Sequence, residues 1–243
     1  MKSEVVDSVR AAGGEVYAIT SEPQTLATRA REDWQTQIEH VGDPHQEIAA
    51  DARARGWLDL RVQENTELLQ AGTSWEIQHP KGYYQPGVIA LDREQRVLYR
   101  WQSVPSRKNV GGATSRPLAP YVWEQIQAAR ARQTAQDSKL DENPQLDSPP
   151  APFPLFALIL LAHGWFIRPR VFSYQGDGED PTRKIPKARN RLVGFVLMWI
   201  LAFLLLPVTW VMTALVIYLP VAAYGVYQVY TRFQNEQRAA SYG

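Results

Sequence analysis

The chain of 243 residues contains no cysteine. It therefore has no disulfide, no thiolate nucleophile and no cysteine ligand for a metal. The net charge at pH 7 is only +1, so the broad positive field that attracts nucleic acid is missing and we expect no nucleic-acid partner. The opening stretch, MKSEVVDSVRAAGGE, has no apolar run of the kind found in secretory signals, and we expect no signal peptide.

Charged side chains are missing from residues 192–230, although 21% of the whole chain is charged. As one helix, this run of about 39 residues would measure about 58 Å, against a hydrocarbon core of about 30 Å. Pro207 and Trp210 lie near its middle, where a turn would fall. The run therefore predicts a transmembrane hairpin of two helices, 192–208 and 211–230.

Aromatic side chains are frequent in this predicted hairpin. Trp210, at the turn, matches the aromatic belts at membrane interfaces. Trp199 and Phe203 are four residues apart and share a helix face. We expect them to be lipid-facing anchors; contact with a partner or a pigment is the alternative. Because no charged side chain lies inside the hairpin, we expect neither transport nor a proton relay from the hairpin alone.

The segments that flank the hairpin are basic, and positive flanks stay on the cytoplasmic side. The tail, 231–243, contains Arg232 and Arg238. The loop predicted over 168–191 contains seven cations: Arg168, Arg170, Arg183, Lys184, Lys187, Arg189 and Arg191. We therefore expect a multi-pass protein of the inner membrane, with the soluble domain and both ends of the hairpin in the cytoplasm.

A shorter apolar run, FPLFALILLAHGWFI, covers residues 153–167 and is short for a crossing. We expect an interfacial or half-inserted helix; a short crossing is the alternative and would place the soluble domain outside. His163 is a candidate ligand for a tetrapyrrole, either haem or bacteriochlorophyll, because a histidine in a membrane helix can bind the metal through its imidazole. The alternative is an interfacial His163 bonded to a headgroup, a carbonyl or water. No other cofactor and no metal site are expected.

The polar part of the chain, 1–132, is long enough for one small domain. Residues 133–152 are polar and rich in proline, which is typical of a flexible linker. Asp43 and Pro44 are predicted to start a helix as its N-cap and first residue. Residues 21–24 have the spacing of a capping box for another helix.

Local patterns divide the polar domain into alternating helices and strands. Residues 63–85 are predicted to be irregular, with a short helix near 67–70. The other predicted elements are a helix over 1–12, a strand over 15–20, a helix from 23 to about 34, a strand over 38–41, a helix from 43 to about 55, a hairpin of strands 88–92 and 96–101, and a helix over 118–132.

Three motifs follow one another in this order: AAGGEVYAIT, HVGDPHQEIAADARARGW and QPGVIALDREQRVLYRW. Together they resemble the second half of a peroxiredoxin-like domain, the alkyl hydroperoxide reductase and thiol-specific antioxidant branch of the thioredoxin-like fold. The resemblance covers about residues 5–132 and implies a cis bond between Gln85 and Pro86. The expected fold class is α/β: an incomplete thioredoxin-like domain with a C-terminal interfacial helix and a two-helix transmembrane hairpin.

The resemblance also implies what is missing. In that family, a first strand and a peroxidatic cysteine lie before the residue that matches Met1, and peroxidase chemistry needs that thiolate. Neither Arg107 nor Arg116 can replace it, so no catalytic residue is carried over and we expect no enzyme. The missing strand is central in the family's sheet, between the strands matching EVYAIT and VIALD. We expect those two strands to close up and pair; an inserted partner strand or a longer natural product are the alternatives.

The remaining ionisable residues show no catalytic pattern. Three histidines lack the spacing of metal ligands and are expected at the surface or at caps: His40, His45 and His79. Three carboxylates would make an acid–base set only if the fold joined them: Asp51, Asp59 and Glu64. The glycine-containing loop 109–112 precedes a helix and would suit an anion, but it lacks the lysine of a P-loop, so an ordinary loop is expected.

The expected function is non-enzymatic: an accessory or assembly subunit of a larger bacterial membrane complex, respiratory or photosynthetic. The thioredoxin-like domain would bind other subunits, and the hairpin would contact the bilayer. Two alternatives remain. One is a membrane-tethered peroxiredoxin-like reductase whose cysteine-bearing half lies outside this chain. The other is a tetrapyrrole-binding membrane subunit that uses His163.

Overall fold

The computed structural model describes residues 3–64, 78–106, 109, 112, 115–132, 136–147, 152–162 and 184–233. In these ranges the chain mixes helices with strands, which confirms the coarse α/β prediction. The helices are α1 (Ser3–Ala11), α2 (Gln24–Asp33), α3 (Glu47–Ala54), α4 (Ala119–Ala131), α5 (Phe153–Ala162), α6 (Lys184–Leu205) and α7 (Val208–Phe233). The strands are β1 (Tyr17–Thr20), β2 (Glu39–Gly42), β3 (Val62–Gln63), β4 (Tyr83–Tyr84), β5 (Gly87–Leu91) and β6 (Val97–Gln102). The short helix predicted near 67–70 lies outside the described residues.

The described strands form three separate pairs rather than one sheet. β1 and β2 are parallel, β3 and β4 are antiparallel, and β5 and β6 form the predicted hairpin. β1 and β5 do not pair, so the prediction that they close up is wrong. The described strands pair two by two in chain order instead. β1 thus pairs with β2 rather than with the distant β5, which closes a shorter loop and costs less entropy.

The outer edge of β1 has no neighbouring strand among the described residues. The Asp43 N–H donates to the Thr20 carbonyl at 2.7 Å on the β2 side. In a parallel ladder alternate residues face the neighbour, so the backbone groups of Tyr17 and Ile19 point away from β2. The side chains of Tyr17 and Ile19 are 59% and 45% exposed. Among the described strands β1 pairs only with β2, so this edge is open to a further strand.

The core of the polar domain is built on β6. Its side chains Val97, Leu98, Tyr99 and Trp101 are all buried. α4 packs on this strand, and α1 packs on α4. The hairpin that brings β5 beside β6 is closed by Asp92, whose carboxylate accepts the N–H groups two and four residues later at 3.1 and 2.8 Å.

Two predicted helix starts differ from the structure. α2 begins after Pro23 without a side-chain cap, because the Ser21 hydroxyl is bonded to other groups; the capping box is therefore wrong. α3 begins at Glu47, after Gln46 in a left-handed conformation with φ of 61°. Asp43 is thus not the N-cap residue and Pro44 lies outside the helix. The Asp43 carboxylate nevertheless accepts the three N–H groups of residues 47–49 at 2.8–3.2 Å, so it still caps α3.

The Gln85–Pro86 bond is trans, so the predicted cis bond is wrong. The backbone on both sides is extended and bonded: the Gln85 N–H donates to the Arg61 carbonyl at 2.8 Å, and the Ser103 N–H donates to the Pro86 carbonyl at 2.7 Å. A trans bond lets the chain pass straight from β4 into β5.

Part of the predicted linker, 133–152, is attached to the domain. The Ser138 N–H donates to the Val97 carbonyl at 2.8 Å, and the Asp141 N–H donates to the Arg100 carbonyl at 3.0 Å. Residues 137–141 therefore run along the outer edge of β6, residues 145–147 pair with 116–118, and the prediction of flexibility is wrong for 136–147. The hydrogen bonds to β6 satisfy backbone carbonyls on a strand edge that would otherwise have no partner.

The predicted basic loop, 168–191, is partly helical. α6 already begins at Lys184, so the loop prediction is wrong for 184–191. Lysine and arginine are good helix formers, and Pro186 stands in the first turn, where proline is tolerated. The rest of that loop, and His163, lie outside the described residues.

One helix in the described part of the chain is long and apolar enough to cross a membrane, Val208–Gln228; the apolar helix Asn190–Leu205 is shorter. The two helices touch through Trp199 and Tyr218, whose ring centroids are 5.8 Å apart. α5 packs on α6, and the ring of Phe153 meets that of Tyr230 at 5.2 Å. The two-helix transmembrane hairpin stays a prediction.

Candidate functional site

A cluster of polar side chains lies where β1 ends and β4 begins. Ser21 follows β1, and His79 lies four residues before Tyr83. The Ser21 Oγ and the His79 Nδ1 are 2.9 Å apart, and the His79 Nε2 is 3.6 Å from a carboxylate oxygen of Glu22. The cluster therefore joins a serine, a histidine and a carboxylate that come from two distant parts of the chain.

Burial shifts the acid–base balance of this cluster toward neutral groups. It raises the pKa of Glu22, although the Gln78 backbone N–H opposes the shift. It lowers the pKa of His79, against the opposing effect of the Ser21 backbone. A neutral imidazole and a carboxyl that protonates easily are the forms that this partly desolvated site favours. Burial also raises the pKa of Tyr83, beside His79, to about 12.

A second link lies next to this cluster. The Tyr84 N–H donates to the Ser21 Oγ at 3.1 Å, and the Tyr84 hydroxyl donates to the Asp43 carboxylate. Burial and the Asp43 carboxylate both raise the pKa of Tyr84, so its phenol keeps the proton that it donates. β4 is thereby bonded both to the end of β1 and to the cap of α3.

Serine, histidine and carboxylate are the groups of a nucleophilic triad, but the geometry does not suit that chemistry. Ser21 is only 2% exposed, and its Oγ already accepts the Tyr84 N–H. A cavity of about 340 Å³ lies elsewhere, between β6, the end of α4 and residues 136–139. Without access for a substrate, the cluster is best explained as a connection between three segments of the fold.

The position of His79 differs from the one predicted from the sequence. Its side chain is 11% exposed, so the predicted surface role is wrong. No local signal marks it, because its partner Ser21 is 58 residues away along the chain. His45 is exposed, as expected. The His40 Nε2 is bonded to the Thr36 hydroxyl at 2.8 Å.

The carboxylates considered as an acid–base set are not joined to one another. Asp51 pairs with Arg55 at 2.8 Å, and Asp59 pairs with Arg53. These are partners on or near α3, and the pairs lie at the surface. No group of three potential metal ligands occurs among the residues that the structure describes.

The glycine-containing loop is organised by Asn109. Its buried side-chain amide donates to the Ser103 hydroxyl at 2.9 Å and to the Val104 carbonyl at 3.0 Å, and it accepts the Ser115 N–H at 3.2 Å. Gly112 has φ of +70°, and a Cβ there would lie 3.0 Å from the Gln85 Oε1. The described part of the loop thus uses its polar groups to close on itself.

The three aromatic residues singled out in the C-terminal helices have different surroundings. Trp199 is half-buried against Tyr218. Phe203 and Trp210 are 49% and 73% exposed. Only the two exposed rings are free to meet lipid or another subunit. His163, the candidate tetrapyrrole ligand, lies outside the described part of the chain.

Comparison with protein-family models, with curated proteins and with solved structures finds no match for the chain.

Proposed function

We propose that the protein is a membrane-anchored accessory or assembly subunit of a larger complex, and that its polar domain, a thioredoxin-like interaction module, binds other subunits. The observation that carries this proposal is the apolar surface of α6 and α7. Within Val208–Gln228, only 17% of the apolar window is buried. Surfaces of this size and composition are covered by lipid or protein in a stable molecule.

The pattern of burial within these helices supports the proposal. The least exposed described positions of α6 are 192, 195, 199 and 202, and those of α7 up to residue 225 are 211, 215, 218, 222 and 225; 226, 228 and 230 are partly buried as well. Both series alternate steps of three and four, which is the spacing of helices that pack side by side. The remaining faces, which carry Leu204, Val216 and Ile217, are more than half exposed. One face of each helix thus serves the contacts among α5, α6 and α7, and the others are left for a bilayer or a neighbour.

The open edge of β1 supports the second half of the proposal. The side chains of Tyr17 and Ile19 are exposed, and their outward backbone groups bond to no other described residue. A two-stranded parallel sheet is marginal by itself, and an added strand from another subunit would stabilise it. This gives the polar domain a way to bind a protein without catalysis.

The test is the mass of the particle released from native membranes by a mild detergent. We expect the chain to sediment with other polypeptides, in a particle several times its own mass of 27.6 kDa. A chain that sediments alone, apart from its detergent, would contradict the proposal. The absorption spectrum of the same sample tests the alternative with His163, since a tetrapyrrole subunit must show a bound pigment band.

A further inference from the structure

The first eight residues of α6, the basic stretch 184–191, carry four cations and no acid: Lys184, Lys187, Arg189 and Arg191. At 100° per residue, positions 184, 187 and 191 fall within about 60° around the helix axis. Three positive charges are therefore carried on one side of two helical turns, in a chain whose total net charge is only +1.

Directly after this stretch α6 becomes apolar. Val193 and Leu197 are 51% and 50% exposed, so the boundary between charge and apolar surface falls at 191/192. Arg191 itself is exposed and makes no ion pair with another described residue. A cation with an apolar surface on one side is the arrangement that suits the headgroup layer of a bilayer.

The apolar parts of α6 and α7 differ in length, and their contact sets the depth of this boundary relative to α7. The apolar part of α6, 192–205, is about 21 Å long, whereas the 21 residues of Val208–Gln228 measure about 31 Å. The helices lie side by side, as the contact of Trp199 with Tyr218 indicates. Counted from that contact, Arg191 lies about 12 Å along α6 and Gln228 about 15 Å along α7, so the basic stretch begins about 3 Å before the apolar part of α7 ends. In a bilayer that α7 spans, positions 184–191 would therefore lie at the border between the hydrocarbon and the headgroup layer, where charges are screened less than in bulk water.

We propose that the basic stretch 184–191 binds the phosphate groups of anionic phospholipids, so that the protein carries a shell of anionic lipid at this end of α6. The inference rests on the membrane anchoring in the proposed function, and it adds the class of lipid. Each cation near an anionic surface is expected to contribute about fivefold to affinity, so the three on one face would contribute about 100-fold.

The experiment uses the full chain, purified in mild detergent and stripped of lipid. Phosphatidylglycerol or phosphatidylcholine is added, and bound lipid is counted by native mass spectrometry. We expect phosphatidylglycerol to bind at least tenfold more tightly, and the variant K184Q/K187Q/R191Q to lose that preference. The variant R29Q/R93Q/R130Q removes three exposed cations of the polar domain and should keep it.

Three results would overturn the inference: equal affinity for both lipids, an equal loss in the control variant, or displacement of phosphatidylglycerol by millimolar inorganic phosphate. The variant K184R/K187R/R191K keeps the charges and should keep the preference, which separates a loss of charge from a loss of the helix. A chain that sediments alone but still selects phosphatidylglycerol would contradict the subunit proposal and leave this one intact.

Discussion

At the scale of single residues, the polar cluster around Ser21 is the feature with the clearest chemical consequence. His79 is held among Ser21, Glu22 and Tyr83, with a pKa that burial lowers. In the unfolded chain the same imidazole would take up a proton near pH 6.5. The folded state therefore binds fewer protons at His79 than the unfolded state does, and stability must fall as pH drops through that value.

This pH effect can be tested with one pair of variants. We expect the urea midpoint of the full chain in mild detergent to fall between pH 7.5 and pH 5.5, and His79→Gln to flatten that fall. His45→Gln changes an exposed histidine and should leave the profile as it was. Glu22 acts in the opposite sense, because its raised pKa favours the folded state only at low pH, with a loss as pH rises above about 4.5. A native profile identical to that of His79→Gln would contradict the burial of this imidazole.

At the scale of elements, the segment 136–147 is more closely attached to the domain than its composition suggests. The Asp141 carboxylate accepts the hydroxyls of Tyr99 and Tyr121 at 3.0 and 2.9 Å, which ties the segment to both β6 and α4. Burial and the Asp141 carboxylate both raise the pKa of Tyr99, so its hydroxyl remains a donor across the physiological range.

Removing this carboxylate should release the segment. In Asp141→Ala, the amides of residues 136–147 are expected to exchange with deuterium about tenfold faster, since three hydrogen bonds are lost, from the hydroxyls of Tyr99 and Tyr121 and from the Asn143 N–H. The comparison is Glu142→Ala, which removes the neighbouring exposed carboxylate and should leave exchange unchanged. Peptide-level mass spectrometry measures both. Equal exchange in the two variants would mean that the backbone bonds alone hold the segment.

Local patterns predicted most elements of the polar domain, because each has a nearby cause. The strands 88–92 and 96–101 are joined by the Asp92 turn, and a single residue at that turn sets their pairing. Contacts between distant residues had no such signal. The bond between Ser21 and His79, and the attachment of 136–147 to β6 and to 116–118, depend on how whole segments pack. Neither composition nor spacing encodes that. Two predictions based on the family resemblance are also wrong: the cis bond before Pro86 and the pairing of β1 with β5.

At the scale of the whole molecule, the chain separates into a polar domain and a group of apolar helices. Composition predicted this division, since it follows from where charge is absent. Composition could not show that α5 reaches the far end of α7, where Phe153 meets Tyr230. That contact places the start of α5 beside the end of the candidate membrane span.

The anchoring of the whole chain has a direct test. We expect the protein to stay with native membranes when they are washed with alkaline carbonate, because the apolar part of α7, at about 31 Å, matches the thickness of a hydrocarbon core of about 30 Å. The positive control is an established integral protein of the same membranes, and the negative control is a peripheral one. Release of the chain together with the peripheral control would mean that Val208–Gln228 does not cross the bilayer.

The open edge of β1 also favours association between copies of the polar domain when that domain is isolated. Tyr17 and Ile19 stand on a strand whose outer hydrogen-bonding groups meet no other described residue. Concentrated copies would be able to stack through these edges, as in fibril growth. A lysine at position 17 or 19 would keep such copies apart, at the cost of the surface that a natural neighbour would recognise.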